Sequence, residues 1–257
     1  MNTRAKLVAL QAIATKEIRR FARIWVQTVL PPVITTALYF IIFGNLIGPR
    51  IGTMEGFRYM EFIIPGLIMM AVITNSYGNV VSSFYGSKFQ RHIEEMLISP
   101  IPNYIILLGF ITGGVARGLT VGIAVTLVSL AFNPLNIHSL PVMISMALLT
   151  SILFSLAGLI NGVYANSFDD ISIIPTFVLA PLTYLGGIFY SISLLPDFWH
   201  SVSLVNPILY MVNAFRYGFL GISDISLALS YTISIGFIVV LYVFSLYLLR
   251  SGHGIRT

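Results

Sequence analysis

Six apolar runs, each long enough to cross a bilayer, leave this chain few folds to choose from; they fall at about 24–47, 62–85, 104–131, 140–164, 171–190 and 226–249. An α-helix rises about 1.5 Å per residue, so about 20 residues cover the roughly 30 Å of hydrocarbon. Backbone N–H and C=O groups find no water there, and a helix satisfies them within one segment. The runs predict an all-α polytopic membrane protein with six transmembrane helices, a single transmembrane domain over 1–257. Composition agrees, since only 9% of the 257 residues are charged, against about 25% in a soluble domain. With no cysteine, the chain has neither disulfides nor thiolate metal sites. Its formal charge of +5 is not a nucleic-acid footprint, because the basic residues gather at the ends of the runs.

Residues 1–23 carry Arg4, Lys6, Lys16, Arg19, Arg20 and Arg23. On a helix, Leu7, Leu10, Ala14, Ile18, Phe21 and Trp25 share one face. That pattern predicts an amphipathic interfacial helix lying along an anionic membrane surface. A cleaved signal peptide is not expected, because both the basic lead and the following run are too long. With six spans, the side holding both termini collects ten basic residues: those six, Lys88, Arg91, Arg250 and Arg256. The opposite side holds three, Arg50, Arg58 and Arg216. The positive-inside rule then places both termini, and the 88–103 and 165–170 loops, in the cytoplasm.

Between the second and third runs lies KFQRHIEEMLISPIPN, residues 88–103. Ser87 and Gln90 have the form of a capping box. Phe89, Ile93, Met96 and Leu97 recur at helical spacing, and Pro100 and Pro102 stop the helix. A short cytoplasmic amphipathic helix is expected, with an apolar edge that needs lipid or protein to cover it. Residues 191–225 are too apolar for a free loop. They read as short re-entrant or interfacial helices, with Asn206 as N-cap, Pro207 as first helical residue and Gly221 as the stop.

Catalytic signatures are missing from the sequence. None of Lys6, Lys16 and Lys88 follows a glycine-rich loop, and there is no HExxH, no GxSxG and no cluster with metal spacing. Neither enzymatic chemistry nor a bound cofactor is expected of this chain. Arg117 is the one charge well inside a run, where insertion costs about 2.5–3.5 kcal/mol, and Gly109, Gly113, Gly114, Gly118 and Gly122 surround it. It lines a wet path or meets a substrate, or else it bonds to a neighbouring helix. Asn75, Asn79 and Ser83 form one stripe on the second run, either lining a path or acting as interhelical glue. Arg216 lies among Phe198, Trp199, Tyr210, Tyr217 and Phe219, either a gate residue or part of an interfacial aromatic belt. Asp169 and Asp170 read as caps for the fifth run.

Several segments, in order, resemble the membrane subunits of bacterial ABC-2 type transporters. These are Lys16-Glu17 before the first run, Phe62-Ile63-Ile64-Pro65-Gly66-Leu67, and Glu94-Glu95-Met96-Leu97-Ile98-Ser99-Pro100-Ile101. Leu194-Leu195-Pro196, then Asn206-Pro207-Ile208-Leu209-Tyr210 followed by Arg216, complete the set. The resemblance implies a homodimeric permease of an ATP-driven exporter in the bacterial cytoplasmic (inner) membrane. It also implies a separate ATP-binding subunit that holds ATP and Mg. Residues 88–103 would then contain the coupling helix, with Gln90, Arg91, Ile93, Glu94, Glu95, Leu97 and Pro100 as the coupling residues. The residues alone leave two other classes open. An ion-driven secondary carrier usually needs a buried acid, and none lies mid-run. A membrane-embedded lipid-modifying enzyme would have to use His138 or His200.

Overall fold

A computed structural model describes residues 2–134 and 136–254; Arg256, counted above with the basic tail, lies outside them. The chain is 81% helical. Among the described residues, five helices are long and apolar enough to cross a membrane: α2 (Trp25–Ile51), α3 (Tyr59–Phe89), α5 (Asn103–Ser129), α6 (Leu140–Tyr164) and α10 (Leu227–Ser251), in a numbering that also counts the shorter helices below. The expected fifth run is shorter than its sequence suggests. It forms α7, Asp170–Tyr184, which loosens to a π-helical turn over Pro175–Leu179. At about 1.5 Å per residue α7 reaches roughly 22 Å, short of the hydrocarbon thickness. Its termination fits the chemistry that follows, because Gly186-Gly187 succeed it and Gly187 takes φ 71°.

α3 is the centre of the bundle. Its membrane window is 78% buried, against 11% for α2 and 22% for α10, so the latter two leave most of their surface to lipid or to another chain. Glycines let the neighbours close on α3. A Cβ on Gly158 of α6 would lie 2.5 Å from the Tyr77 carbonyl, and one on Gly66 of α3 would lie 2.9 Å from the Ile188 backbone.

The two ends of α3 differ in kind. The 48–61 segment, which joins the first two apolar runs, contains a small antiparallel hairpin that pairs Thr53 with Arg58 and Met54 with Phe57. Its two turn residues, Glu55 and Gly56, take φ 54° and 84°, as a type I′ turn demands. Glu61 then accepts the Arg58 N–H at 3.2 Å and caps α3. At the other end, Ser87 and Gln90 make no capping box. α3 runs on through buried Ser87 to Phe89, with Gln90 as its C-cap. Lys88 explains the extension: its ammonium donates to the Val163 and Ala165 carbonyls at 2.7 and 2.8 Å, fastening the last turn of α3 to the end of α6. Arg91, in the left-handed region at φ 62°, turns the chain into α4 (His92–Ile98).

The N-terminal helix α1 (Thr3–Arg23) is capped by Asn2, whose side chain accepts the Ala5 N–H at 2.9 Å. Lipid alone does not hold it. Ile13, Glu17 and Phe21 are buried, Ile13 and Glu17 against Gly109 and Gly113 of α5. The face expected to be apolar keeps Leu7, Ile18 and Trp25 exposed. Residues 191–225 hold a 3-10 turn (Ile192–Leu194) and two α-helices, α8 (Asp197–Val205) and α9 (Pro207–Leu220). The predicted caps are present: Asn206 accepts the Ile208 N–H at 3.0 Å, and Gly221 ends α9 at φ 75°. α9 is buried in the bundle. Its last carbonyls, Gly218 and Phe219, receive the Ser139 and His138 N–H groups ahead of α6 at 2.8 and 3.2 Å.

Candidate functional site

The sequence-selected residues fall in three places. The first is the loop face made by α4. Ile93 is fully buried and packs with Phe84, Phe110 and Leu159, so it anchors the helix to the bundle. Met96 and Leu97 pack at the edge of the same cluster. Gln90, Arg91, Glu95, Ile98 and Pro100 are exposed and Glu94 is half-buried. Among the described residues the ion pairs are Lys16–Glu17 and Arg20–Glu17. Glu94 and Glu95 therefore make no pair with Arg91. Their charges remain open to water or to a partner.

The uncovered apolar part of this face is Ile98, Phe89 and Phe168 rather than the Ile93–Met96–Leu97 edge expected from the sequence. Ile98 is 86% exposed and Phe89 65%. Phe89 meets Phe168 edge-on at 5.3 Å between centroids, and Phe168 meets Tyr85 at 4.9 Å. Phe168 belongs to the short loop after α6, where Ser167 and Asp170 cap each other. Ser167 Oγ accepts the Asp170 N–H, and the Asp170 carboxylate accepts the Ser167 N–H, both at 3.1 Å. The Asn166 N–H, at 2.8 Å, is the main cause holding the Asp170 carboxyl below the usual range. The capping role expected of this pair is thus filled by Asp170, while Asp169 is exposed and makes no side-chain cap. Phe89, expected on the apolar face of the short helix with Ile93, Met96 and Leu97, instead ends α3.

The second place lies between α1, α3 and α5. Asn75, Asn79 and Ser83 are all buried. Asn79 accepts Arg20 Nη2 through Oδ1 at 2.7 Å and through its carbonyl at 2.8 Å. Asn75 Oδ1 accepts Arg117 Nη2 at 3.1 Å. Glu17 takes Arg20 Nε at 3.4 Å and lies 3.7 Å from Lys16 Nζ. The stripe brings the arginines of two other helices onto α3, one turn apart.

The third is Arg216 on α9, 1% exposed. Its guanidinium sits 3.9 Å from the Phe62 ring centroid and donates to the Gly187 carbonyl. It joins α9 to the first turn of α3 and to the break after α7. The surrounding aromatics do not act as one belt: Phe198 and Trp199 are exposed, whereas Tyr210 and Phe219 are buried. Arg216→Met is expected to leave the Gly187 carbonyl unpaired, at a cost of about 1–3 kcal/mol, and to lower the apparent Tm of the detergent-solubilised protein. An unchanged Tm would show that Arg216 does not hold this junction.

No His/Cys/Asp/Glu group that could hold a metal occurs among the described residues. The fold defines a multi-pass membrane protein whose membrane-buried polar groups lie mainly at helix junctions. The chain belongs to the ABC-2 type transporter family, whose pattern matches residues 8–220. It is 60% identical over 250 residues to "Inner membrane transport permease YadH" of Escherichia coli (strain K12), covering 97% of this chain and 98% of that one. "Nodulation protein J" of Sinorhizobium fredii (strain NBRC 101917 / NGR234) is 25% identical over 186 residues, 70% of this chain and 69% of its own length. The protein of that name from Rhizobium leguminosarum bv. viciae is 22% identical over 214 residues, 83% of each chain.

Proposed function

We propose that this chain is the permease subunit of an ATP-driven exporter in the bacterial inner membrane, working as a homodimer with two copies of a separate ATP-binding subunit. ATP and Mg belong to that subunit. In this reading α7 and the segment after it make the sixth crossing, both termini are cytoplasmic, and 191–225 forms the outer re-entrant segment. One observation carries the reading: α4 is rooted in the bundle by Ile93 yet offers Glu95, Ile98 and the neighbouring Phe89 to solvent. A helix anchored on one side and open on the other transmits force when a partner grips the open side. Family membership and the printed name of the relative, a transport permease of the inner membrane, support the same conclusion. Gln90, Arg91, Glu94, Leu97 and Pro100 frame the gripped surface, and the Asn75–Asn79–Ser83 stripe with Arg117 borders the path.

The absence of cysteine makes a clean test possible. Ile98→Cys is expected to react with a membrane-impermeant maleimide from the cytoplasmic side alone, and to be protected when the ATP-binding subunit is bound. Glu55→Cys is expected to react from the opposite side. Labelling of Ile98→Cys from outside, or labelling indifferent to the subunit, contradicts the proposal.

A further inference from the structure

A cavity of about 410 Å³ lies between α2 and α3, with Arg117 of α5 in its wall. Gln27, Thr35, Thr74 and Asn75 give it a polar part, and Pro31, Leu67 and Met70 an apolar one. The volume falls within the roughly 300–1,000 Å³ of small-molecule sites. α2 is mostly unburied, so the cavity opens beside a helix whose free surface is left to lipid or to another chain.

Arg117 is the unexplained group here. Its Nη2 is held by Asn75, but its Nε is buried without a partner. Among the described residues no carboxylate lies within ion-pair reach of it. The acid of this junction, Glu17, is already shared by Lys16 and Arg20, and Arg20 sits one turn along α3 on Asn79. Lys16 and Arg20, with side chains 47% and 31% exposed, occupy Glu17 and leave Arg117 with Asn75 as its one side-chain partner among the described residues. Close packing does not require the guanidinium, because Gly113, Gly114 and Gly118 already bring α5 against its neighbours. A planar fork of N–H donors with no counter-ion matches a phosphate or a carboxylate.

We propose that this cavity binds an anionic amphiphile, with Arg117 taking the acidic head and the Pro31–Leu67–Met70 wall taking the start of the apolar tail. The inference rests on the permease reading, for which it names a cargo chemistry. The cargo enters sideways from the bilayer past α2, and Arg117 sets the preference for a negative head.

The test uses the purified permease alone, in phosphatidylcholine nanodiscs. Dodecyl phosphate is expected to bind about tenfold tighter than dodecyl glucoside, which has the same tail and a neutral head; tenfold is about 1.4 kcal/mol. Arg117→Gln is expected to erase that preference and Arg117→Lys to keep part of it. Asn75→Asp guards against a folding failure, because it supplies an internal counter-ion beside the guanidinium and is expected to erase the preference in a folded protein. Adding phosphatidylglycerol separates the sources. Competition would identify a bilayer lipid as the occupant, and no competition a free amphiphile, both consistent with the site. Equal affinities in the wild type, or a preference that survives in Arg117→Gln and Asn75→Asp, would overturn it. So would displacement of dodecyl phosphate by equimolar inorganic phosphate. The ATP-binding subunit is absent, so a negative result leaves the permease reading standing; that reading fails separately, if no complex with the subunit forms.

Discussion

Glu94→Lys combined with Glu95→Lys is expected to weaken assembly with the ATP-binding subunit by tenfold or more and to uncouple ATP hydrolysis from the permease, without unfolding it. Glu95 is exposed, Glu94 is half-buried, and neither is ion-paired. Surface changes of that kind usually alter stability by less than about 0.5 kcal/mol. At an interface the same reversal sets like charges together, a cost of several kcal/mol, and 1.4 kcal/mol is already tenfold. Ile98→Asp is expected to act in the same direction, because Ile98 is 86% exposed and lies on the proposed docking face rather than in the core. Ile93→Asp separates the two sides of the helix. It puts a charge at a position with no exposure, so it is expected to lower stability as well as assembly. Pull-down of the subunit by each variant, with apparent Tm measured in parallel, checks both. Glu94→Lys/Glu95→Lys that assembles and couples normally removes α4 from the docking face.

Gly158→Leu is the second large effect, and it acts through the fold. A Cβ there would lie 2.5 Å from the Tyr77 carbonyl oxygen and 3.3 Å from the Tyr77 Cα. The obstacle is backbone in the middle of α3, so no side chain can rotate out of the way. α6 must move off α3, opening the most buried helix of the bundle. Overpacking typically costs about 1–3 kcal/mol and sometimes more; with backbone as the obstacle the upper part of that range is expected. The variant should elute as aggregate in detergent, or melt well below the wild type. Gly236→Leu on α10 is the control, since nothing lies within 4 Å of its Cβ position; it should behave as wild type. Equal stability of the two variants contradicts the packing described here.

Much of this was legible in the residues because apolar length and terminal punctuation are local signals. The runs at 140–164 and 226–249 match α6 and α10 within about two residues, as boundaries do at best. Asn206-Pro207 and Gly221 marked both ends of α9 correctly. The misses are tertiary. Ser87 and Gln90 have the form of a helix start, but Lys88 reaches the carbonyls at the end of α6 and α3 continues through Ser87 to Phe89, with Gln90 as its C-cap. The hairpin at 53–58 needs positive φ at Glu55 as well as Gly56, and a Glu there gives little warning of it. The fifth run was apolar enough to be read to Tyr190, yet α7 stops at Tyr184, and Gly186-Gly187 were the available sign. Of the candidate residues, Asn75, Asn79 and Arg117 were selected as separate features of two runs. Only the fold places them in one junction, and only the fold adds Glu17 and Arg20 from the N-terminal helix.

A permease that lends its membrane path to a separate ATPase must bind that ATPase and alter its turnover. The direct measurement mixes purified permease with an ABC-type ATP-binding subunit from the same organism, in lipid nanodiscs, and follows complex mass and ATP hydrolysis together. The account predicts a stable complex of two permeases with two ATP-binding subunits, and a hydrolysis rate that the permease changes and that Glu94→Lys/Glu95→Lys no longer does. A subunit that hydrolyses ATP at the same rate with and without the permease, and never co-elutes with it, would contradict the account.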